Sequence, residues 1–216
     1  MIATVILDFD GVVIESLAVK NEAFRKLFSF APEHLEEIVD YHVRNGGMSR
    51  FDKFRHIYAH ILKEDLTEEQ SRMLGEKYYA LSFDGVVDSP LVDGAKEFLE
   101  SCHEHIPLYV VSATPEPEIH DIVRRRELGG YFIQVYGSPR TKPECIREIL
   151  DSTHSRPEEA VFIGDAPNDW EAAQATGVRF IARIKPGDSD RFIGLSGVER
   201  VVADLFELRE VIAEEI

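Results

Sequence analysis

The sequence predicts an α/β fold in which a parallel β-sheet is covered by helices on both faces. From about residue 93 onward, short apolar segments alternate with helical patterns, and this alternation is typical of βα units in a parallel sheet. The apolar segments contain few polar residues, as expected for strands that are buried on both faces. By contrast, about residues 15–89 show only helical patterns. We therefore expect an α/β core that carries one all-helical insertion.

The first strand is expected at about residues 2–7, and the helical insertion follows it. The insertion contains four helical patterns, at about 16–28, 32–43, 49–62 and 67–83. Pro32 suits the first turn of a helix, and Ser49 and Thr67 have side chains of the kind that cap helix N-termini. Gly46-Gly47 separates the second helix from the third.

The second half of the chain supplies the other strands and helices of the predicted core. Strands are expected at about 108–111, 131–136, 160–163 and 178–181. Helices are expected at about 95–105, 115–128, 143–154, 167–176 and 205–213. Pro115, Pro143 and Pro167 would each begin a helix, which is a position that proline favours.

Composition and charge limit the possible partners of this chain. Its 216 residues include 40 acidic and 24 basic residues, which gives a net charge of −16. This excess of negative charge disfavours nucleic acid as a partner, and a small anionic substrate would need local cations. No apolar segment is long enough to span a membrane, and no signal peptide is evident. Cys102 and Cys145 show no metal-ligand or disulfide spacing, so we expect a cytoplasmic protein. The oligomeric state stays open.

Polar side chains follow four of the predicted strands at their carboxyl ends. They are Asp8 and Asp10, then Ser112-Ala113-Thr114, then Thr141-Lys142, and finally Gly164-Asp165 with Asn168-Asp169. Ligands of an open parallel sheet bind beyond the carboxyl ends of its strands. We therefore expect all four groups to converge on one crevice.

The residue types in this crevice suit the cleavage of a phosphate ester. Asp8 and Asp10 lie beside a buried strand, where carboxylates are rare unless a metal, a partner or a reaction requires them. A carboxylate can attack phosphorus and form an aspartyl-phosphate. Mg²⁺ prefers oxygen ligands, which Asp8 and Asp165 would provide. Lys142 would supply a second cation, and the Ser112 hydroxyl would hold phosphoryl oxygens.

These segments resemble the four motifs of the haloacid dehalogenase-like hydrolase superfamily, in the same order and across most of the chain. The matching stretches are Asp8-Phe9-Asp10-Gly11-Val12, Val110-Val111-Ser112-Ala113, Lys142-Pro143 and Ile163-Gly164-Asp165-Ala166-Pro167-Asn168-Asp169. The resemblance implies a Rossmann-like catalytic core formed by residues 1–14 and 88–216. It also implies that residues 15–87 form a small α-helical cap, which acts as a lid, and that the enzyme uses Mg²⁺.

The resemblance also implies individual catalytic roles. Asp8 would be the nucleophile, and Asp10 the general acid and then the general base. Lys142 would balance the charge at the nucleophile. The metal would be held by Asp8, by the backbone carbonyl of Asp10 and by Asp165, with Asp169 close to a metal-bound water or to Lys142.

The substrate-binding residues are expected on both sides of the crevice. Ser112 and Ala113 would bind the phosphoryl group. In the cap, Gly47-Met48-Ser49-Arg50 resembles the substrate-facing loop of the phosphoglycolate phosphatase and β-phosphoglucomutase-like group. Ser49 and Arg50 are therefore predicted to contact the substrate, and Arg50 could bind a second anionic group. The alternative is that Arg50 lies on a helix surface.

The sequence favours a magnesium-dependent phosphatase of a small phosphorylated metabolite, such as a sugar phosphate or phosphoglycolate. Asp10 argues against a dehalogenase, because a halide leaves without a proton, and phosphonatases also lack this aspartate. A mutase is the first alternative, although Lys20 replaces the histidine and Gly164 the glutamate that the resemblance leads one to expect in it. A catalytically silent regulatory module is the second alternative. The roles of Lys20 and Asn168 stay open.

Overall fold

The computed structural model describes residues 1–188 and 191–215, and the strands in this part of the chain form one parallel sheet. The strand order is β3-β2-β1-β4-β5-β6. The strands are β1 (Thr4–Leu7), β2 (Leu108–Pro115), β3 (Gln134–Ser138), β4 (Ala160–Gly164), β5 (Arg179–Arg183) and β6 (Arg200–Val202). The chain thus reverses its direction of travel across the sheet between β1 and β4, and this is where a doubly wound sheet opens a crevice for a ligand.

The central strand β1 is buried on both faces. Val5 lies opposite Leu108 of β2 on one side and Val161 of β4 on the other. Side chains of a strand alternate between faces, so Val5 and Leu7 pack into one hydrophobic cluster and Ile6 packs into a second. The unbroken apolar sequence of β1 follows from this double burial.

Helices cover both faces of the sheet, which confirms the predicted α/β class. They are α5 (Ala95–Cys102), α6 (Glu116–Arg125), α7 (Lys142–Thr153), α8 (Pro167–Thr176) and α9 (Leu205–Ala213). The first, second and fifth of these helices pack on the cluster that contains Val5, while α7 and α8 pack on the cluster that contains Ile6.

Two features of the sheet differ from the sequence-based expectation. The edge strand β6 was not predicted, because it is three residues long and two of them are exposed, so it has no readable apolar pattern. The strand expected at 131–136 begins at Gln134 instead. Residues Gly129–Tyr131 form a 3₁₀ turn, and pairing with β2 starts where Tyr109 meets Gln134.

Residues 17–87 form helices that build their own hydrophobic cluster. The helices are α1 (Leu17–Leu27), α2 (Leu35–Arg44), α3 (Arg50–His56), which continues as a π-helix (Ile57–Leu62), and α4 (Glu68–Val87). Phe24, Phe28 and Phe54 are fully buried in this cluster. Helix α4 extends beyond the expected end near Phe83, because Phe83 and Val86 pack into the sheet cluster. In the described parts of the chain, no helix has the length and apolarity that crossing a membrane would require.

A pair of arginines at the end of α6 attaches the core to the last turn of α4. Arg126 donates to the backbone carbonyl of Val87 at 2.6 Å and also to that of Ser89. The guanidinium of Arg125 lies 4.8 Å from the centre of the Phe83 ring. Two of the three consecutive arginines at positions 124–126 therefore contact the segment that leaves the helical insertion.

Replacing Arg126 with Leu should lower the free energy of unfolding by about 1–3 kcal/mol, because two backbone carbonyls lose a charged donor. Urea denaturation measures this change. Arg124→Leu is the matched control, since Arg124 is exposed and pairs with Asp121 on its own helix. It should change stability by less than about 0.5 kcal/mol. Equal losses in both variants would contradict the attachment.

Candidate active site

A cavity of about 90 Å³ lies between the carboxyl ends of the strands and the helical insertion. The core contributes Asp8, Asp10, Ser112, Ala113, Thr114 and Asp165 to its lining. The insertion contributes Lys20, His42, Arg50, Lys53 and Tyr78, among others. The sequence-predicted crevice and the insertion thus enclose one space.

Asp8 follows β1 directly and is held from two sides. The backbone N–H of Phe9 donates to Asp8 Oδ1 at 2.7 Å, and Lys142 Nζ donates to Asp8 Oδ2 at 2.9 Å. Lys142 is the first residue of α7, where Thr141 and Glu144 form a capping box. The capped helix start therefore places the ammonium against the carboxylate.

Lys142 also donates to Asp169 Oδ1, so one ammonium bridges two buried carboxylates. Burial alone would lower the pKa of Lys142, but Asp169 and Asp8 raise it above its usual value. The lysine is therefore charged. The second oxygen of Asp169 accepts from the backbone N–H of Ala166 at 3.1 Å, which fixes Asp169 in the first turn of α8.

Three carboxylates share this one ammonium. Oxygens of Asp8, Asp165 and Asp169 all lie within 4.8 Å of one another. Burial, followed by the charges of Asp169 and Asp10, raises the pKa of Asp8 to about 7 against the opposing effect of Lys142. Burial, followed by the charges of Asp169 and Asp8, also raises the pKa of Asp165. The cluster holds an excess of negative charge.

This cluster fits a divalent cation. All of its donors are carboxylate oxygens, which are the ligands that Mg²⁺ selects, and a cation would compensate the charge that raises the two pKa values. Gly11 stands close to the cluster with φ of +78°, and a Cβ there would lie 2.7 Å from Asp165 Oδ2. Both the turn and the space therefore require glycine after Asp10.

The carboxylate of Asp10 lies outside the three-carboxylate cluster. Its Oδ1 accepts from Ser16 Oγ at 2.5 Å, and its Oδ2 accepts from Lys20 and, at 3.2 Å, from Thr114 Oγ1. Burial would raise the pKa of Asp10, but the Lys20 ammonium and these hydrogen bonds lower it below its usual value. Asp10 is thus held as a carboxylate at the edge of the cavity, and Lys20 is one of its partners rather than a surface residue.

The end of β2 differs from the sequence-based expectation. Helix α6 begins at Glu116 rather than Pro115, and its N-cap is Pro115. The Thr114 side chain does not cap this helix; it donates to Asp10 and accepts from Lys20 at 2.9 Å. A nearby carboxylate and ammonium are stronger partners than a helix terminus.

Ser112 and Ala113 line the cavity at the end of β2. Ser112 Oγ accepts from the backbone N–H of Thr114 at 3.1 Å. Because a hydroxyl can accept and donate at once, this bond leaves the hydroxyl hydrogen of Ser112 available to a ligand.

The two residues predicted to bind substrate from the insertion lie in different settings. Ser49 caps α3 by accepting from the backbone N–H of Phe51 at 3.3 Å, and it is not among the described residues that line the cavity. Arg50 lines the cavity, but its guanidinium donates to Glu118 of α6 at 2.7 Å and lies 4.6 Å from the centre of the Tyr78 ring. This buried ion pair connects the insertion to the core. Contact of either residue with substrate stays a prediction.

Sequence reasoning missed His42 and Lys53, which also line the cavity. Lys53 Nζ lies 3.3 Å from His42 Nδ1 and donates to the His42 carbonyl oxygen at 3.2 Å. The available signal was spacing: Lys53 follows Arg50 by three residues on α3, so both lie on one helix face. The place of His42 depends on how α2 packs against α1, where its ring stacks on that of Phe24, and the sequence does not reveal this packing.

Asn168 and Gly164 complete the end of β4. Asn168 is partly buried in the first turn of α8, close to Gly47. A Cβ on Gly164 would overlap the side chain of Asp169. Any larger residue at position 164 would therefore displace the carboxylate that holds Lys142.

Comparisons with known proteins show the family and the fold of this chain. The family described as haloacid dehalogenase-like hydrolase matches residues 2–177, which confirms the resemblance expected from the four motifs. Enolase-phosphatase E1 from Lachancea thermotolerans is 23% identical over 87% of this chain and 91% of its own length. A phosphoglycolate phosphatase from Photorhabdus laumondii is 24% identical over 98% of this chain and 92% of its own length. The solved structure of a hydrolase from Pseudomonas syringae has a TM-score of 0.82 at 19% identity and covers 99% of both chains.

Addition of Mg²⁺ should raise the melting temperature of the protein, because a ligand that binds only the folded state stabilises it by about 2.7 kcal/mol at 100 times its Kd. Asp165→Asn should lose most of this shift, since it removes one of three clustered carboxylates. Asp84→Asn, on the exposed side of α4, is the matched control and should keep the shift. Differential scanning calorimetry with Mg²⁺ and with a chelator measures both. An unchanged shift in Asp165→Asn would rule out this cluster as the site.

Proposed function

We propose that this chain, which belongs to the haloacid dehalogenase-like hydrolase family, is a magnesium-dependent phosphatase of a small phosphorylated metabolite. The observation that carries the proposal is Asp8. Its carboxylate accepts hydrogen bonds from the Phe9 N–H and from Lys142 at the wall of the cavity, beside further carboxylates. Relatives named as phosphatases support the reaction class.

In the first step, an oxygen of Asp8 attacks the phosphorus of the substrate. A bond forms between Asp8 and phosphorus, the bond from phosphorus to the leaving oxygen breaks, and an aspartyl-phosphate results. Lys142 orients the attacking carboxylate, and the Ser112 hydroxyl donates to a phosphoryl oxygen. Asp10, once protonated, gives its proton to the leaving alcohol.

In the second step, water attacks the phosphorus of the aspartyl-phosphate. Asp10, now a carboxylate, accepts a proton from this water, and the bond between Asp8 and phosphorus breaks to release inorganic phosphate. The hydrogen bonds from Ser16, Thr114 and Lys20 lower the pKa of Asp10, which suits the base that this step needs.

Asp8, the backbone carbonyl of Asp10 and Asp165 would hold Mg²⁺, with Asp169 beside them. The ion would offset the negative charge of the carboxylates and of the phosphoryl oxygens. Asp169 has a second task, because it holds Lys142 against Asp8 through hydrogen bonds that this chain supplies by itself.

We also propose that residues 15–87 act as a cap over the core formed by residues 1–14 and 88–216. Two ion pairs, Lys20 with Asp10 and Arg50 with Glu118, join the insertion to the core around the cavity. A closed cap excludes bulk water from the phosphoryl group during the first step. A sugar phosphate or a phosphoglycolate-like acid in the cytoplasm would be a suitable substrate.

The mutase alternative would require the phosphoryl group to return to the substrate. The sequence resemblance places a glutamate at position 164 in such mutases, whereas here a Cβ at position 164 would already overlap Asp169. This crowding supports hydrolysis. The products distinguish the two reactions, because a phosphatase releases inorganic phosphate and a mutase yields an isomer.

Asp8→Asn should lower phosphate release by at least about a thousandfold, because it removes the nucleophile while keeping the shape of the side chain. The assay follows phosphate release from phosphoglycolate, hexose phosphates, glycerol phosphates and nucleotides, with Mg²⁺ and with a chelator. Asp84→Asn, which changes an exposed carboxylate, should keep full activity. Activity retained in Asp8→Asn would remove the assignment of the nucleophile. If the wild type releases no phosphate from any compound while it binds Mg²⁺, the silent-module alternative becomes the better explanation.

Asp10→Asn should slow the hydrolysis of an alkyl phosphate by about 10²–10⁴-fold, because the leaving alkoxide then receives no proton. It should slow that of nitrophenyl phosphate much less, since nitrophenolate leaves readily without one. Steady-state kcat/KM for both substrates measures the difference. Equal losses for the two leaving groups would count against Asp10 as the acid.

A further inference from the structure

The cations around the cavity differ in how their charge is balanced. Lys20 pairs with Asp10 and Arg50 pairs with Glu118. Lys53 also lines the cavity and is only 4% exposed to solvent. However, no carboxylate within residues 1–188 and 191–215 lies in ion-pair contact with Lys53. Arg191, a further lining cation, is only partly buried and also borders a neighbouring hollow with Lys185 and Asp188. Lys53 is therefore the deeply buried cation of the cavity that has no carboxylate of the described residues in contact with it.

Within residues 1–188 and 191–215, His42 is the hydrogen-bond partner of the Lys53 ammonium. The ammonium contacts His42 Nδ1 at 3.3 Å and the His42 carbonyl oxygen at 3.2 Å. The imidazole is stacked on Phe24, with ring centres 3.9 Å apart and 19° between the planes. Burial, with the charges of Lys53 and Lys20, lowers the pKa of His42 to about 2, so the ring is neutral and accepts at Nδ1.

One donor of Lys53 is left for a ligand. An ammonium has three N–H donors, and His42 accepts two of them. A buried charge without a counterion is unfavourable by several kcal/mol. This is reflected in the pKa of Lys53, which burial and then the charge of Lys20 lower to about 7. An anionic group in the cavity would supply the missing counterion.

The size of the cavity limits that anion. A water needs about 10–15 Å³ of such space, so about 90 Å³ holds roughly six to nine water-sized groups. This is room for a phosphoryl group joined to two or three further carbons. With the phosphoryl group at Asp8 and Ser112, the other end of such a substrate lies towards the insertion, and a carboxylate is a smaller anionic end than a second phosphate.

We propose that Lys53 binds a carboxylate at the non-phosphorylated end of the substrate and thereby selects short phosphorylated carboxylic acids. The proposal rests on the proposed phosphatase function and adds its substrate class. It assigns to Lys53 the anion binding that the sequence alone led us to expect of Arg50, whose guanidinium Glu118 already engages.

The test compares two substrates that differ only at this end: phosphoglycolate, and 2-hydroxyethyl phosphate, which has an alcohol in place of the carboxylate. For Lys53→Met, kcat/KM for phosphoglycolate should fall about 10- to 100-fold, mainly through KM, since one charge-assisted hydrogen bond and its ion pair are lost. For 2-hydroxyethyl phosphate, kcat/KM of Lys53→Met should change by less than about threefold. Lys77→Met, which removes an exposed cation from α4, is the matched control and should alter neither value.

The substrate comparison separates recognition from folding. Lys53→Met removes an unbalanced buried charge, so its melting temperature should be unchanged or higher. Lys53→Gln is the second variant, because it keeps a donor for His42 without the charge, and it should show the same loss of discrimination. Equal losses on both substrates, or no loss on phosphoglycolate, would overturn the proposal.

A binding measurement keeps this test independent of catalysis. Calorimetric titration of phosphoglycolate into Asp8→Asn with Mg²⁺ should give an affinity about 10- to 100-fold higher than into Asp8→Asn/Lys53→Gln, whereas 2-hydroxyethyl phosphate should bind both variants equally. Phosphate release by the wild type without preference for phosphoglycolate would overturn the Lys53 proposal and leave the phosphatase standing. If phosphoglycolate binds in a way that depends on Lys53 but the protein releases no phosphate, the phosphatase proposal is overturned and carboxylate binding by Lys53 stands.

Discussion

The structure depends on the concentration of three buried carboxylates around one ammonium at the end of the central strand. Asp8 directly follows β1, Asp165 directly follows β4, Asp169 lies in the first turn of α8, and Lys142 is the first residue of α7. Such an arrangement is unfavourable by itself, because like charges repel and buried charges lose hydration. The buried sheet, the capped helix start and the glycines at positions 11 and 164 hold it in place. This excess of buried negative charge is what we expect a bound cation to offset in the proposed function.

The insertion contributes positive charge to the cavity, whereas the core contributes negative charge. It brings the cations Lys20, Arg50 and Lys53 over a negatively charged core, in a chain whose net charge is −16. Lys20 and Arg50 are paired with carboxylates of the core, so they attach the insertion, and Lys53 is the cation that we propose for ligand binding. The local positive charge that a small anion needs is thus supplied by the segment that closes the cavity.

The sequence predicts those features that depend on local order along the chain. The apolar run before Asp8 identifies a buried strand, and parallel strands must end at one edge, so the polar residues that follow them were placed together correctly. The predictions failed where long-range packing decides. The short strand β6 has little apolar pattern. Thr114 bonds to Asp10, and Lys53 meets His42 where helices of the insertion pack together. The sequence around a helical lysine does not show whether the lysine lies on the buried or the exposed face of its helix.

In the proposed function, catalysis and selection are divided between two parts of the chain. The core would supply the nucleophile, the acid and the oxygens for a metal from the ends of strands, whose relative positions are fixed by the sheet. The insertion would supply the group that meets the other end of the substrate, from helices whose side chains can change without disturbing the sheet. Because Lys53 bonds only to His42 within the described residues, its replacement alters the recognition end and leaves the contacts of Asp8 intact. A fold of this kind can acquire a new substrate by changing its insertion while keeping its chemistry.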